Sequence, residues 1–517
     1  MIKNLKWLLL VSLAFVACSK SDDTTVVPNS SNGLPLTSGS ANFSNYVSLG
    51  NSLTSGYSDG ALFIEGQKGS YPAILAQQFA QVGGGAFTIP FMNDNVGGLL
   101  LAGTPIQSPR LYFNGTGPVT VAGTPSTDVI NHLTGPFNNM GVPGAKSFHL
   151  IAPGYGNVAG VATGQANPYY VRFASSTTST VLGDAMAQNP TFFSLWIGNN
   201  DVLAYATSGG TGTNQAGNLD PTTYGSNDIT DPNVFASVYN TLVTQLTSNG
   251  AKGVVANIPY VTSVPFFTTV PTNPIPGLPA ASAAQLNQLF GAINQITTAL
   301  GQPSRFVTIV ADDNNPATVE QNPLLIYDKS LPNLSAYITG ALTPVLGSAT
   351  AGYVGSIYGQ ARHASNATAT RDYVLLTSQS VIGTTQSGAP SPFNTVGVSY
   401  PMADSTVLTA SETAQVITAT DAFNATIQGL ATAKGLAFVD ANTFLSQVAN
   451  GGISANAFTM TSTYVTGNAF SLDGVHPSPR GYALIANKFM EAINATYGSN
   501  LKAVDLGNYR ILFPASL

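Results

Sequence analysis

The sequence predicts an α/β fold with a mainly parallel sheet and long loop insertions. Three largely apolar runs are typical of buried strands: TFFSLWIG (191–198), which is continuously apolar except for Ser194, GVVANIP (253–259) and LAFVDAN (436–442). One helical pattern directly precedes the second run, and another directly precedes the third. Strands that alternate with helices favour a parallel sheet, because each helix returns the chain to the edge where the next strand begins.

The helix before the second run has clear end signals. Asp231 is a good N-cap, Pro232 suits the first helical position, and the Asn-Gly pair at 249–250 ends the pattern. Apolar residues recur on one face of this helix, at Phe235, Val238, Leu242 and Leu246. The helix before the third run is predicted from about residue 412 to residue 432.

Two shorter runs are further strand candidates, RFVTIVAD (305–312) and DYVLLT (372–377). The segments between these elements are rich in Gly, Pro, Ser and Thr: 93–135, 204–230, 262–282 and 345–370. They are longer than the plain connections of a compact domain, so we expect functional insertions or partly mobile loops.

The composition argues against a nucleic-acid-binding protein. Of the 517 residues, 44% are apolar and only 8% are charged, and the formal net charge is −6. No basic cluster is present to neutralise phosphates. The length is sufficient for one large domain with insertions or for two or three ordinary domains, and the apolar fraction allows a large core.

The first residues have the layout of a secretory signal. Lys3 and Lys6 precede an apolar run over 7–17 that is too short to span a bilayer as a helix. Cys18 follows at once and is the only cysteine of the chain. Its position resembles the cleavage site of a bacterial lipoprotein, where the cysteine becomes N-terminal and lipidated. The alternative is a soluble secreted protein with a stray thiol.

This layout predicts a lipoprotein signal peptide over 1–17, a flexible tether over 18–40 and one large domain over 41–517. Lys20, Asp22 and Asp23 resemble the acidic surface-export signal of Bacteroidetes lipoproteins. We therefore expect a cell-envelope protein, at the outer membrane or the cell surface, that contacts the membrane through its lipid anchor. With its cysteine in the anchor, the chain has no thiol left for a disulfide, a metal or catalysis.

A serine follows the first predicted strand at a sharp turn. In YVSLGNSLTSGYSDG (46–60) the strand formers end at Gly50 and Asn51, and Ser52 comes next. Such residues are common in ordinary turns. A serine there can also project its hydroxyl at the carboxyl end of a parallel sheet, where open α/β folds bind ligands. It becomes a nucleophile only with a base and an oxyanion site.

Three of the four histidines are expected to be structural or surface residues. His132 and His149 lack an acid at a short offset on the same turn. His363 follows Arg362, which disfavours its charged form.

The fourth histidine has the neighbours of a general base. His476 lies in SLDGVHPSPRGYALIANKF (471–489), three residues after Asp473, which is near enough to hydrogen-bond the imidazole and fix its tautomer. Ser478 can then cap a helix with Pro479 at its first position. The loop is thus held by a packed helix. Taken alone, the motif could also be a plain turn before that helix.

Four short blocks in chain order resemble the sequence blocks of the SGNH (GDSL) hydrolase family. GNSL contains Ser52, NNMGVPGAK (138–146) contains Gly144, GNND contains Asn200, and DGVH contains Asp473 and His476. The resemblance extends from about residue 43 to 490, interrupted by the insertions. One position departs from the family pattern, since residue 51 is Asn where the family usually has Asp.

The resemblance implies a serine hydrolase that cleaves carboxylic esters through an acyl-enzyme on a three-layer α/β/α sandwich. Ser52 is the implied nucleophile and His476 the base, oriented by Asp473. The backbone N–H groups of Ser52 and Gly144 and the side-chain amide of Asn200 are the implied oxyanion donors. No metal or organic cofactor is implied.

The expected substrate is an acyl ester of a lipid, a small molecule or a glycan. The apolar segment 264–279 either lines an acyl pocket or packs a long insertion. The nearest alternative function is that of a carbohydrate O-acyl esterase with the same site. A surface binding lipoprotein that has lost the chemistry is a further alternative, against which the complete set of five site residues argues.

Overall fold

The structure is a computed structural model that describes residues 30–31 and 33–517. The predicted signal peptide and Cys18 lie outside the described residues. A central parallel sheet of five strands with helices around it confirms the predicted α/β class. Within the described part of the chain, no helix is long and apolar enough to cross a membrane.

The strands of the central sheet are β1 (Tyr46–Gly50), β2 (Asn139–Gly141), β3 (Phe192–Trp196), β4 (Lys252–Ala256) and β5 (Ala437–Val439). Their spatial order is β5-β4-β3-β1-β2, and all neighbours are parallel. The chain passes from β1 outward to β2 and then returns to β3 on the other side of β1. The strand order therefore reverses between β1 and β3, which is where open α/β sheets bind ligands.

Two pairs of helices pack around the sheet. Tyr71–Ala80 lies against Pro479–Tyr497, and Pro232–Leu246 lies against Ala410–Lys434. The ring of Trp196 in β3 contacts the first pair, with its centroid 5.7 Å from Tyr71 and 5.8 Å from Phe489. Aromatic side chains thus join strands and helices into one core.

The two helices predicted from the sequence are present, and the first has its expected N-cap. At the start of Pro232–Leu246, Asp231 Oδ1 accepts the N–H groups of Asn233 and Val234, at 2.8 and 3.0 Å. Ala410–Lys434 begins at a capping box formed by Thr409 and Glu412. Both sets of side chains satisfy N–H groups that a helix start leaves without partners.

The remaining α-helices of the described residues are Ser52–Ser55, Ile64–Lys68, Pro168–Val171, Val181–Met186, Asn200–Thr207, Pro265–Thr268, Ala280–Ala299, Ser335–Leu346, Ser348–Tyr358 and Ala441–Ala449. Short antiparallel pairs lie outside the central sheet: Ser30–Ser31 with Leu34–Pro35, Leu99–Leu101 with Thr104–Gln107, Leu111–Phe113 with Pro118–Thr120, Ile275–Pro276 with Gln321–Asn322, Leu325–Tyr327 with Ala361–His363, Tyr373–Val374 with Val407–Leu408, and Ile453–Ala455 with Phe458–Met460.

Both shorter strand candidates and one segment that was expected to be a loop differ from the structure. Segment 345–370 is largely regular, because it contains the helix Ser348–Tyr358 and the strand Ala361–His363. Segment 305–312 forms no strand, since side-chain amides take its backbone donors: the N–H of Ile309 donates to Asn287 Oδ1 at 2.7 Å. Segment 372–377 keeps only two strand residues, outside the central sheet.

Candidate active site

Ser52 lies at the carboxyl end of β1, as the first residue of the helix Ser52–Ser55. Asn51 caps this helix, because its Oδ1 accepts the Leu53 N–H at 3.0 Å. Gly50 has no room for a side chain: a Cβ there would come within 2.4 Å of the Trp196 carbonyl oxygen in β3. The close approach of β1 and β3 therefore fixes where the serine emerges.

The structure brings three of the predicted residues into one hydrogen-bonded row. His476 Nε2 lies 2.9 Å from Ser52 Oγ, and His476 Nδ1 lies 2.9 Å from Asp473 Oδ2. An ionised carboxylate only accepts hydrogen bonds, so it holds the imidazole proton on Nδ1. Nε2 is then free to accept the hydroxyl proton of Ser52.

The carboxylate of Asp473 is held by further donors. Its Oδ1 accepts the N–H groups of Val475 and His476, each at 2.8 Å, and its Oδ2 accepts the Gly60 N–H at 2.9 Å. Burial acts to raise the pKa of Asp473, but the charge of His476 and the hydrogen bonds from His476 and Val475 lower this pKa to about 2. Asp473 is therefore ionised at neutral pH.

The base also contacts an aromatic ring and is carried by a loop that a helix holds. The Tyr57 ring centroid lies 4.6 Å from that of His476. Ser478 caps the following helix, because its Oγ accepts the Gly481 N–H at 3.0 Å, as the sequence predicted. The imidazole is thus positioned by an aromatic contact and by a loop that ends in a capped helix.

The predicted oxyanion donors lie at the same edge of the sheet. Gly144 follows β2 with a φ of +80°, and Asn200 begins the helix that follows β3. Asn200 Nδ2 donates to the Ala145 carbonyl at 2.9 Å, so these two loops touch. Within the described chain, neither the Ser52 N–H nor the Gly144 N–H donates to a protein acceptor.

Two residues beside the predicted ones also hold this edge together. Asn199 Oδ1 accepts a hydrogen bond from Asn51 Nδ2 at 3.2 Å, which links the turn after β1 to the turn after β3. Asp201 is fully buried and accepts from the Ser147 N–H at 2.8 Å and the Ser147 hydroxyl at 2.7 Å. Burial raises the pKa of Asp201. The sequence signal for both was their place in GNND, next to Asn200.

An apolar pocket opens beside the serine. Ser52, His476 and Asn200 line it, whereas Gly144 and Asp473 lie outside its lining. Its walls include Leu203, Val261, Phe444, Val448, Phe470 and Leu484, and it encloses about 690 Å³ of empty space, including the part open to solvent. Of the predicted pocket segment 264–279, Val264 alone lines it, so most of that segment packs elsewhere.

The other three histidines lie outside this pocket lining. His132 is exposed, with its Nε2 2.8 Å from a backbone carbonyl oxygen. His149 stacks on Tyr155, and burial lowers its pKa to about 4. His363 is buried against the Phe290 ring, and burial lowers its pKa to about 4 as well. Each makes contacts that account for it as a structural residue.

Among the described residues, the acidic groups close enough to share a metal ion are Asp312, Asp313 and Glu320. They lie between β4 and β5 in the chain and outside the pocket lining beside Ser52.

Comparison with known proteins gave no match: no family model, no curated protein and no solved structure matches the chain. The functional inference therefore rests on the motifs, the fold and the geometry of the site.

Proposed function

We propose that this chain is a serine hydrolase of the SGNH type that cleaves carboxylic esters through an acyl-enzyme. The observation that carries the proposal is the row of contacts from Ser52 Oγ to His476 Nε2 and from His476 Nδ1 to Asp473 Oδ2, each 2.9 Å long. The row ends at an apolar pocket at the reversal of strand order.

The residues divide the reaction between them. His476 Nε2 takes the Ser52 proton as Oγ bonds to the ester carbonyl carbon, and Asp473 stabilises the imidazolium that forms. The tetrahedral intermediate collapses, the carbon–oxygen bond to the alcohol breaks, and His476 returns the proton to the leaving alcohol. Water, activated by the same imidazole, then hydrolyses the acyl-enzyme and releases the acid.

Negative charge on the carbonyl oxygen needs donors that are already in place. We propose the free N–H groups of Ser52 and Gly144 and the second amide hydrogen of Asn200. The Ala145 carbonyl occupies the first hydrogen of Asn200 Nδ2 and so fixes the plane of the amide. A donor that is oriented before the reaction needs no rearrangement as charge develops.

The pocket favours an ester of an apolar acid. Its walls beside Ser52 are mostly aliphatic and aromatic, and each methylene that moves from water into such walls contributes about 0.8 kcal/mol. An acyl chain in this pocket would place its carbonyl beside Ser52, with the alcohol portion toward solvent. This supports a lipid or simple acyl ester over an acetylated glycan.

We further propose the three-layer α/β/α arrangement of the SGNH family for the fold. It is supported by the two separate helix pairs, Tyr71–Ala80 with Pro479–Tyr497 and Pro232–Leu246 with Ala410–Lys434, and by the burial of β1, β2 and β3 along their whole length.

For localisation we propose an envelope lipoprotein anchored through Cys18. Cys18→Ser removes the thiol that would carry the lipid. The variant should leave the membrane fraction or accumulate unprocessed, whereas unchanged fractionation would contradict the anchor.

The test of the hydrolase is the turnover of a short nitrophenyl ester by Ser52→Ala. Turnover should fall by about 10³-fold or more, since binding and oxyanion effects are all that remain. Ser48→Ala is the matched control, because Ser48 is fully buried in β1 and its hydroxyl has no partner among the described residues. Full turnover in Ser52→Ala would rule out the proposal.

A further inference from the structure

A tight turn at residues 58–61 contacts the loop that carries Asp473 and His476. Ser58 and Ala61 exchange two backbone hydrogen bonds of 3.1 Å, and Asp59 and Gly60 at the tip have φ of +51° and +78°. Positive φ at both central positions is the mark of a type I′ turn. Asp and Asn both tolerate this conformation, so the backbone alone does not require a carboxyl group.

The turn is bonded to the triad loop at consecutive residues. Asp59 Oδ1 accepts the Leu472 N–H at 2.9 Å, and the Asp59 N–H donates to Ser471 Oγ at 3.0 Å. Gly60 then donates its N–H to Asp473 Oδ2 at 2.9 Å, the oxygen that also contacts His476 Nδ1. The side chain of Asp59 thus ties down the segment on which the triad carboxylate stands.

Two neighbouring bonds join the same segments. The Ser58 hydroxyl donates to the Pro477 carbonyl at 3.2 Å, and the Tyr482 hydroxyl donates to the Tyr57 carbonyl at 2.7 Å. The turn continues directly from the helix that begins with Ser52. It therefore connects the strand that presents the nucleophile to the loop that presents the base.

We propose that Asp59 is a positioning residue of the active site, which keeps Asp473 and His476 in register with Ser52. The proposal rests on the proposed function for its meaning in catalysis. Asp59 acts through backbone groups of the triad loop and is not assigned a contact with the substrate.

The surroundings of Asp59 explain why an uncharged side chain can serve there. Asp59 is 1% exposed, and its Oδ2 has no partner among the described residues. The ionisable groups that face it are Asp473, Arg110 and Tyr464. Burial raises the pKa of Asp59 to about 7, assisted by Asp473 and opposed by the Leu472 N–H and Arg110. Asn, which resembles the neutral form, should therefore replace Asp59 well.

The test compares Asp59→Gly with Asp59→Asn. Gly adopts positive φ without strain, so Asp59→Gly deletes the side-chain acceptor and leaves the turn unstrained. We expect its kcat to fall by about 10- to 100-fold, since small displacements of catalytic groups have effects of this size. KM should change little, because the substrate contacts remain. Asp59→Asn keeps the acceptor oxygen and should keep kcat.

A matched control is Asn189→Gly, another change from a residue with positive φ, at an exposed position outside the pocket lining. It should leave kcat unchanged. If Asp59→Gly does not fold, Ser471→Ala replaces it, because this variant keeps the Asp59 side chain and removes the second bond between Asp59 and the triad loop. It should lower kcat in the same direction.

Hydrogen exchange separates this inference from the proposed function. The amides of Leu472, Val475 and His476 should exchange faster in Asp59→Gly than in wild type or Asn189→Gly, even if the chain hydrolyses no ester. Unchanged exchange at these amides overturns the role of Asp59 whatever the activity. An active wild type together with normal kcat in Asp59→Gly also overturns it, whereas an inactive wild type contradicts the proposed function alone.

Discussion

Replacement of Asn200 by Ala tests the mechanism at its oxyanion site. One hydrogen of Asn200 Nδ2 bonds the Ala145 carbonyl, and Asn200 lines the same pocket as Ser52; in the proposed mechanism the other hydrogen binds the oxyanion. Loss of a donor that acts only as charge develops costs about 2.7–4 kcal/mol of barrier, so kcat should fall by about 10²–10³-fold with little change in KM. Loss of the bond to Ala145 should lower the free energy of unfolding by only about 0.5–1.5 kcal/mol.

The assay measures kcat, KM and the thermal midpoint on one preparation, with active molecules counted by a fluorophosphonate titration. Asn494→Ala is the control. Asn494 also donates its Nδ2 to a backbone carbonyl, that of Leu501 at 3.0 Å, but it lies at the opposite end of the helix that follows His476. Asn494→Ala should lose stability at full kcat. The same pattern in Asn200→Ala, a lower midpoint with normal kcat, would refute the oxyanion role.

Three further predictions concern the cap, the pocket and the pH dependence. Asn51→Ala loses the helix cap and the bond to Asn199, so it should lower the free energy of unfolding by about 1–2 kcal/mol in a denaturant titration. Asn51→Asp keeps an acceptor for the Leu53 N–H, and Asn199 can turn its amide to donate to the new carboxylate, so this variant should remain active. Leu203 is half-buried and lines the pocket, so Leu203→Trp should fill part of it. The variant should reduce kcat/KM for an octanoyl ester by at least about 10-fold more than for an acetyl ester. Equal reductions would argue against an acyl pocket. The lowered pKa of Asp473 contributes stability that is present above about pH 4 and is lost as the pH falls toward 2. The raised pKa of Asp59 acts in the opposite direction: its contribution to stability is complete below about pH 4 and is lost as the pH rises through 7. Between pH 4 and 8 the unfolding free energy of Asp59→Asn should therefore rise relative to wild type, by at most about 4 kcal/mol, and parallel pH profiles would contradict this.

The central strands and the site motifs were predictable because their signals are local. The apolar runs that became β3, β4 and β5 are continuous, and the helix start at Asp231 has its cap and proline together. Ser52 and the Asp473–His476 pair stand where strand or loop patterns stop at polar residues. Ser52 and His476 are 424 positions apart. The parallel sheet and the loop before Pro479–Tyr497 bring them together, so the motifs were a better guide to this contact than the distance along the chain.

The loop expected over 345–370 and the strand expected over 305–312 were wrong because tertiary packing overrides local propensity there. The helix Ser348–Tyr358 contains Gly352 and Gly355. Gly355 is needed for packing, since a Cβ there would lie 2.2 Å from Thr339 Oγ1. A composition rich in Gly, Pro and Thr predicts a loop, but tertiary packing can still stabilise a helix there. In the run 305–312, the N–H groups of Ile309 and Val310 donate to Asn side chains more than ten positions away, and no local pattern reveals these partners.

The link from Asp59 to Leu472 could not be predicted for a related reason. The Asp-Gly pair at 59–60 does indicate a turn. Its partner lies 413 positions away, and only the fold brings the two together. The three-residue strand β2, which presents the Gly144 loop, was likewise too short to show a period.

Covalent labelling is the sharpest test of whether Ser52 is an activated nucleophile. A fluorophosphonate should react with the wild-type chain at one residue, and mass spectrometry of the digested protein should locate the adduct on Ser52. Ser52→Ala should remain unlabelled, and His476→Ala should be labelled far more slowly because Ser52 Oγ then loses the acceptor 2.9 Å away. An unlabelled wild type, or an adduct on a different serine, would contradict the account.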